Sequence, residues 1–88
     1  MSSDPYVSVV IPHYGDPAPT ADLCRALLAQ EGVDLEVIVS DDASPCDVSM
    51  PEGVVLFRRP VNGGFAANVN SGVALARGRL LFILNSDI

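Results

Sequence analysis

The sequence predicts an α/β fold in which helices cover both faces of a four-stranded parallel sheet. Four short runs rich in Val, Ile, Leu and Phe are expected to be strands, at 7–11, 35–39, 54–57 and 80–84. Most are nearly continuous in apolar residues rather than alternating, which is typical of strands buried on both faces. Such strands form parallel sheets, and two of the intervening segments have the helical periodicity that crossover connections need.

The first crossover predicts a helix between the first and second strands. Thr20 is the expected N-cap, and Asp22 lies in the first turn, where a carboxylate favours the helix dipole. Leu23 and Leu27 share the apolar face, and Gly32 occupies the position expected for a left-handed C-cap.

The second helix is expected between the third and fourth strands. Apolar residues recur there at helical spacing, at Phe65, Val69, Val73 and Ala76, and Gly78 ends the pattern. Segment 41–53 contains two prolines and is expected to be a loop. The resulting β-α-β-loop-β-α-β pattern predicts right-handed crossovers and strand order 3-2-1-4, as in a Rossmann-like half with three α/β/α layers.

The composition limits the partners of this chain. Its 88 residues predict one domain over 1–88, with a net charge of −6 and only five basic residues, all arginine. Nucleic-acid partners are excluded because phosphate binding requires a patch of Lys and Arg. Cys24 and Cys46 belong to no CxxC pair, which indicates reduced thiols and a cytoplasmic protein. The start of the chain has no secretory signal, and no apolar run approaches the ~20 residues of a membrane span.

Polar clusters directly follow three of the strands, at 12–16, 40–44 and 85–87. In an open parallel sheet these positions meet at the carboxyl ends of the strands, where ligands bind at the point of strand-order reversal. With order 3-2-1-4 that point lies between the first and fourth strands. Asp42 and Asp87 are therefore expected to flank one cleft.

Carboxylates at this edge suit two tasks. They can accept hydrogen bonds from a nucleobase or ribose, or hold Mg²⁺ together with substrate phosphate oxygens. The first strand is followed by neither a Walker A sequence nor GxGxxG, so an ordinary phosphate-binding loop is disfavoured. An acidic site that binds a diphosphate requires a metal, because the negative charges otherwise repel each other.

Four segments resemble motifs of the family 2 glycosyltransferases. Segment 7–14, VSVVIPHY, resembles the family's VSVVIPxYN, and segment 36–44, EVIVSDDAS, resembles EIIVVDDGS. Segment 62–72, NGGFAANVNSG, is similar to NxGFAxAxNxG, especially that of the rhamnosyltransferase-like branch. Segment 84–87, LNSD, looks like the LNPD form of the DxD motif. The four occur in the expected order and cover nearly all of the chain, so together they are strongly specific.

The resemblance implies the N-terminal part of a GT-A fold that binds a nucleoside-diphosphate sugar, UDP- or dTDP-linked, with Mg²⁺ or Mn²⁺. Transferred position by position, the nucleotide-binding residues are Pro12, Tyr14, Asp42, Asn62, Gly63 and Asn85. Among them, Asp42 would contact the base and Asn85 the ribose, although Asn85 is a neutral substitute for the first Asp of DxD. Asp87 would bind the metal.

The resemblance also implies an activity for the full-length parent. It would transfer a hexose or deoxyhexose, with inversion, to a glycan or lipid-linked acceptor in cell-wall or polysaccharide synthesis. The reaction would take place in the cytoplasm or at the inner face of the membrane. The acceptor-binding half and the general base of inverting members lie beyond Ile88. No catalytic residue is therefore assigned, and the fragment alone is not expected to transfer sugar.

Two other classes of function fit parts of the pattern. The alternative to an enzyme is a nucleotide-sugar-binding module that transfers nothing. A receiver-like domain, in which paired acids bind magnesium, is disfavoured because the third strand runs into Arg58, Arg59 and Pro60, where a phosphoacceptor Asp is required. The chain also has no lysine, which such domains need.

Several site residues also have plain structural interpretations. Asp41 is expected to brace the turn after the second strand, whereas Asp42 is expected to act on the ligand because it would gain little structurally. His13 is expected to be exposed and not catalytic, and Phe65 to anchor the core. Gly63 and Gly64 would supply unusual backbone angles, and Asn70 would bond either ligand or loop backbone.

The fourth strand has a further consequence. If segment 80–84 ends the sheet, it forms an apolar edge with unpaired backbone groups, which favours pairing between chains. We therefore expect self-association through this strand.

Overall fold

The computed structural model describes residues 4–85 and confirms the predicted α/β fold. Its elements are, in chain order, β1 (Val7–His13), α1 (Pro17–Leu28), β2 (Leu35–Asp41), β3 (Val54–Arg58), α2 (Phe65–Val73) and β4 (Leu80–Ile83). All neighbouring strands are parallel, and the sheet order is β3-β2-β1-β4, as predicted. Segment 42–53 between β2 and β3 is a loop, also as predicted.

The two central strands, β1 and β2, carry the core. Val9 and its register partner Val37 lie on the face covered by α1, where they pack around the fully buried Cys24. Val10 and its partner Ile38 point to the opposite face, because side chains alternate along a strand. α2 covers that opposite face, so the sheet lies between two helical layers.

The start of α1 differs from the prediction. Asp16, not Thr20, is the N-cap, and its carboxylate accepts a hydrogen bond from the N–H of Ala18 at 3.0 Å. Pro17 occupies the first helical position, where its fixed φ and missing N–H are favourable. Thr20 is instead buried within the helix. The helix ends at Leu28, before the predicted stop at Gly32.

α2 contacts the sheet through small and polar residues rather than through its apolar ones. Gly72 lies so close to β1 that a Cβ there would be 2.5 Å from Cγ1 of Val10. Asn68 is the other buried residue of this helix. Phe65, predicted to anchor the core, is 64% exposed. That prediction was wrong because the face of α2 on the sheet is set by the close approach at Gly72.

The outer strands are covered less than the sequence predicted. All four residues of β4 are exposed, and three residues of β3 are also exposed. The two helices lie over the central pair of strands, so the apolar runs of β3 and β4 are not buried on both faces. Within residues 4–85, β4 is an edge of the sheet, paired with β1 alone.

A buried carboxylate joins the amino-terminal end of the strands to the α2–β4 connection. Glu36 Oε2 accepts hydrogen bonds from Ser8 Oγ at 2.6 Å and from the Arg77 N–H at 2.7 Å. Its Oε1 accepts from Nε and Nη2 of Arg77, both at 3.2 Å. Burial raises the pKa of Glu36, but these hydrogen bonds and the charge of Arg77 outweigh burial and hold the pKa below its ordinary value.

Both cysteines are free thiols, as predicted, with Cys24 buried and Cys46 exposed. Burial raises the pKa of the Cys24 thiol, and the charge of Arg25 offsets this only in part. Neither helix of the described region is long and apolar enough to cross a membrane.

Candidate functional site

A cleft of about 260 Å³ opens at the carboxyl ends of β1 and β4, beside the first turn of α2. Its lining consists of Pro12, His13, Tyr14, Asp42, Phe65, Asn68 and Asn85. Pro12, Tyr14, Asp42 and Asn85 are four of the six predicted nucleotide-binding residues, and the cleft lies at the predicted strand-order reversal. Its volume is slightly below the ~300–1,000 Å³ of complete small-molecule sites, so it suits one part of a ligand.

The other predicted residues lie elsewhere. Asn62 and Gly63 do not line the cleft; they contact Asp42 from the side. Asn62 Nδ2 donates to the backbone carbonyl of Asp42 at 3.1 Å, and Gly63 donates its N–H to the Asp42 carboxylate. Asp87, predicted to flank the cleft, lies outside the described residues.

Asp42 is buried, and its carboxylate accepts three hydrogen bonds. Oδ1 accepts from Arg59 Nε and from the Gly63 N–H, each at 2.9 Å, and Oδ2 accepts from the Gly64 N–H at 2.8 Å. Burial raises the pKa of Asp42, but the two backbone hydrogen bonds and the Arg59 guanidinium outweigh burial and hold the pKa below its ordinary value. Asp42 is therefore ionised at neutral pH.

These contacts define what Asp42 can still bind. A carboxylate has about four acceptor positions, two on each oxygen. Oδ1 already accepts from two groups, whereas among the described residues Oδ2 accepts only from Gly64. The remaining acceptor position is therefore on Oδ2. The expectation that Asp42 gains little structurally was wrong, because the same carboxylate fixes the segment that precedes α2.

Asp41 has the structural role that the sequence predicted. Its fully buried carboxylate accepts from the N–H of Ser44 at 3.2 Å, from Ser44 Oγ at 2.5 Å and from Arg58 Nε at 3.0 Å. Arg58 also donates to the carbonyl oxygens of Ser44 and Cys46. Asp41 and Arg58 therefore brace the loop after β2. Within this turn Ala43 adopts a left-handed φ of 59°.

His13 is buried, contrary to the expectation that it is exposed. Its Nε2 lies 3.0 Å from the Gly15 carbonyl oxygen, and its Nδ1 lies 2.8 Å from Thr20 Oγ1. Because a carbonyl only accepts, Nε2 carries a proton and donates to Gly15. The imidazole therefore holds the turn after β1 against α1.

Asn68 and Phe65 form the wall of the cleft on the α2 side. Asn68 Oδ1 accepts from Ser40 Oγ at 2.7 Å, and Nδ2 donates to the His13 carbonyl at 3.3 Å. This buried amide thus ties α2 to the ends of both central strands. The Phe65 ring is largely exposed beside it, which gives the cleft an aromatic surface.

The motif segments and the cleft they form agree with a comparison against protein families. Residues 8–88 match the model of the family described as "Glycosyl transferase family 2". The chain belongs to this family. The fold is the one that the resemblance implied.

Two curated relatives cover nearly all of this family 2 chain. It is 34% identical over 89 residues to "Uncharacterized protein MT1568" of Mycobacterium tuberculosis (strain CDC 1551 / Oshkosh), a match that covers 94% of the chain and 28% of the relative. It is 36% identical over 89 residues to "Succinoglycan biosynthesis protein ExoO" of Rhizobium meliloti (strain 1021), covering 94% and 26%. The chain spans about a quarter of the length of these relatives.

The described part of this family 2 chain does not by itself assemble a metal site. No group of three or more His, Cys, Asp or Glu side chains comes together within residues 4–85. Asp42, the acidic residue of the cleft lining, already bonds a guanidinium, which disfavours a second cation at the same oxygens.

Arg59 is the site residue that sequence reasoning missed in this family 2 chain. The sequence interpretation takes Arg58 and Arg59 only as features that disfavour a receiver-like domain. The available signal is the pairing of two adjacent acids at the end of β2 with two adjacent arginines at the end of β3. In the parallel register of β2 and β3, the two acids lie beside the two arginines. Because side chains alternate along a strand, one Asp–Arg pair lies on each face of the sheet.

Proposed function

We propose that the cleft binds the nucleoside of a nucleoside-diphosphate sugar, and that the chain is the donor-binding part of a glycosyltransferase. The observation that carries this proposal is the ionised Asp42 with an acceptor position left on Oδ2 in a cleft at the strand-order reversal. The imide N–H of uracil or thymine is a suitable donor to such a carboxylate. The exposed Phe65 ring beside it offers a surface for stacking.

The diphosphate and the ribose would lie toward the end of β4. Asn85 lines the cleft and would contact the ribose, and Asp87 would bind Mg²⁺ or Mn²⁺. These assignments rest on the similarity of segment 84–87 to the DxD motif. The bound metal would supply positive charge that stabilises the departing diphosphate.

The reaction itself would belong to the longer protein. We propose an inverting transfer of a hexose or deoxyhexose to a glycan or lipid-linked acceptor, in the cytoplasm or at the inner face of the membrane. A deoxyhexose is included because segment 62–72 is similar to that of the rhamnosyltransferase-like branch. The name of the Rhizobium relative, a succinoglycan biosynthesis protein, supports a role in polysaccharide synthesis.

The donor site is tested by titrating the chain with uridine and thymidine diphosphates, with and without Mn²⁺, while amide NMR shifts are recorded. We expect shifts at Gly63, Gly64 and Asn68 with either nucleotide, and Mn²⁺-dependent shifts near Asn85. Absence of shifts in a folded sample would contradict the proposal.

Two variants with the same change of charge make this test specific. Asp42→Asn should weaken nucleotide binding by at least about tenfold, because hydrogen bonds to a charged group contribute ~1.5–3 kcal/mol. Asp47→Asn, at an exposed acid in the loop after β2, should bind as the wild type does. Equal loss in both variants would indicate an effect of net charge rather than of the cleft.

We also propose that the chain self-associates through β4. Leu80, Leu81, Phe82 and Ile83 are 44–59% exposed, and within the described sheet one edge of this strand is unpaired. Sedimentation velocity should show dimers at high concentration, and Leu81→Lys should reduce them because charges at edges oppose pairing. A monomer at all concentrations would contradict this proposal.

A further inference from the structure

Arg59 connects the Asp42 carboxylate to α2, and it lies outside all four motif segments. Its Nε donates to Asp42 Oδ1 at 2.9 Å. Its Nη1 donates to the carbonyl oxygen of Ala67 at 3.1 Å and also to Ser71 Oγ. One planar guanidinium therefore fixes the end of β2 relative to the first two turns of α2.

The segment before α2 packs directly on the same guanidinium. A Cβ at Gly63 would collide with Nη2 of Arg59, so the backbone there lies against the arginine. This backbone also donates to Asp42 through the N–H groups of Gly63 and Gly64. Asp42, Arg59 and the segment before α2 thus hold one another in a closed set of contacts.

We propose that Arg59 is a positioning residue of the nucleoside site, which holds Asp42 so that Oδ2 is presented to the ligand. The inference rests on the proposed function. The Arg59 side chain is 18% exposed and does not line the cleft, so it acts through Asp42 rather than on the ligand. Its Nε and the Gly63 N–H occupy Oδ1, which leaves Oδ2 as the oxygen that can accept from a base.

The geometry of the contacts explains why arginine is needed here. The guanidinium donates in several fixed directions within one plane, and these directions match Asp42 on one side and α2 on the other. A lysine ammonium keeps the charge but cannot reproduce this fork. Without the fork, the carboxylate can rotate, and the acceptor on Oδ2 loses its orientation toward the cleft.

Arg58 provides a matched control for Arg59. It forms the equivalent ion pair one residue earlier, with Asp41 on the other face of the sheet, and it does not contact Asp42. Arg59→Gln and Arg58→Gln therefore each remove one arginine from an Asp–Arg pair with the same change of charge. The probe is uridine, which has no phosphate and needs no metal.

Two quantities are measured for the wild type and both variants. The first is uridine affinity at pH 7 and pH 5, and the second is the pH titration of the Asp42 carboxyl carbon by NMR. His13 and Tyr14, the other titratable side chains that line the cleft with Asp42 in the described residues, are common to all three proteins. Any difference in uridine affinity or in the Asp42 titration between the variants therefore arises from the arginine substitution.

We expect Arg59→Gln to bind uridine about tenfold more weakly at pH 7, because the charge-assisted hydrogen bond that orients Asp42 is lost. The loss should grow at pH 5, and the Asp42 carboxyl should titrate at higher pH than in the wild type. Arg58→Gln should match the wild type in both respects. Wild-type affinity and pH dependence in Arg59→Gln would overturn the inference.

The two proposals fail in different ways. Absence of uridine binding in the wild type would contradict the proposed function. In that case the Asp42 titration is the remaining test of whether Arg59 positions Asp42. An unchanged Asp42 titration in Arg59→Gln overturns that role. If Arg59→Gln does not fold, Arg59→Lys replaces it with Arg58→Lys as control. The expectation is then reduced affinity in Arg59→Lys only, and equal affinity in the two lysine variants overturns the inference.

Discussion

Two buried carboxylates at opposite ends of the sheet are held by similar partners, and they differ in one respect. Glu36 and Asp42 each accept hydrogen bonds from backbone N–H groups and from one arginine. Glu36 accepts four hydrogen bonds, two on each oxygen. Asp42 accepts three, so one acceptor position remains on Oδ2, and the residue lines a cleft.

This difference separates a structural carboxylate from a candidate ligand-binding one. Glu36 has about as many donors as a carboxylate can accept, so a ligand could bind it only by displacing one of them. Asp42 can accept one more hydrogen bond without losing any. Burial and a lowered pKa are common to both residues, so neither property distinguishes Asp42, the proposed binding residue, from Glu36. The two residues differ instead in how many of their acceptor positions are already occupied.

Acid should produce the largest change, because it removes both interactions together. Both folded-state pKa values lie below the ordinary ones, so the unfolded chain binds more protons at low pH. The stabilisation is complete above the ordinary carboxyl range and is lost as pH falls from about 4 through the folded-state values. Urea midpoints at pH 7 and pH 3 should therefore differ, with lower stability at pH 3. The difference between the two midpoints should shrink in Asp42→Asn and in Glu36→Gln. An unchanged difference in both variants would show that these two carboxylates do not cause the loss of stability in acid.

Asp42→Asn should have the next largest effect on stability. It leaves the Arg59 guanidinium, whose side chain is 18% exposed, without its charged partner. We expect the free energy of unfolding to fall by about 3 kcal/mol, the lower end of the range for breaking a buried ion pair. Urea denaturation measures this loss, and nucleoside affinity should fall as well. If Asp42→Asn loses less stability than Glu36→Gln, burial of the arginine partner does not determine which ion pair contributes more.

Glu36→Gln should cost less stability and leave the cleft unchanged. Its arginine partner Arg77 is 57% exposed and can be solvated after the carboxylate is neutralised. We expect a loss of about 2 kcal/mol, because charge-assisted hydrogen bonds are weakened while one charge remains in contact with water. Uridine affinity of the folded protein should stay within about twofold of the wild type. A larger change would mean that the two ends of the sheet are coupled through α2.

Ala43→Gly should have the smallest effect, and it acts at the Asp42 end only. The left-handed φ of 59° costs a residue with a Cβ about 1–2 kcal/mol. Glycine relieves that cost but loses ~0.5–1 kcal/mol through its greater freedom in the unfolded chain. We expect a net gain in stability of about 0.5 kcal/mol from these two terms, measured by thermal denaturation. Destabilisation would show that the Ala43 methyl group contributes packing energy that exceeds the backbone strain.

The sequence predicted the fold well because burial of the central strands is visible in composition. The apolar runs of β1 and β2 indicated a parallel sheet, and the strand order followed from general rules of connection. The predicted start of α1 at Thr20 was wrong because Asp16 followed by Pro17 is the stronger helix-start signal. The exposure of β3 and β4 was missed because it depends on which strands the helices cover.

The candidate site was predicted in part, for a comparable reason. Pro12, Tyr14, Asp42 and Asn85 converge because they lie at or just beyond the carboxyl ends of strands of one sheet, which is a matter of topology. The contact of Arg59 with Asp42 depends on strand register and on side-chain alternation, neither of which a motif records. The burial of His13 and the exposure of Phe65 depend on how α1 and α2 lie on the sheet. These properties are three-dimensional and leave only weak local signals.

The buried hydrogen bonds of Asn68 have a consequence for the entropy of binding. Because Asn68 is tied to Ser40 and to the His13 carbonyl, the polar wall of the cleft has little rotamer entropy left to lose. Among the aromatic side chains of the cleft, the exposed rings of Tyr14 and Phe65 still have rotamer entropy to lose on binding. Each ring should contribute an unfavourable ~0.5–1.5 kcal/mol when a nucleoside immobilises it. Calorimetry should therefore record an entropic penalty that falls when either ring is replaced by alanine.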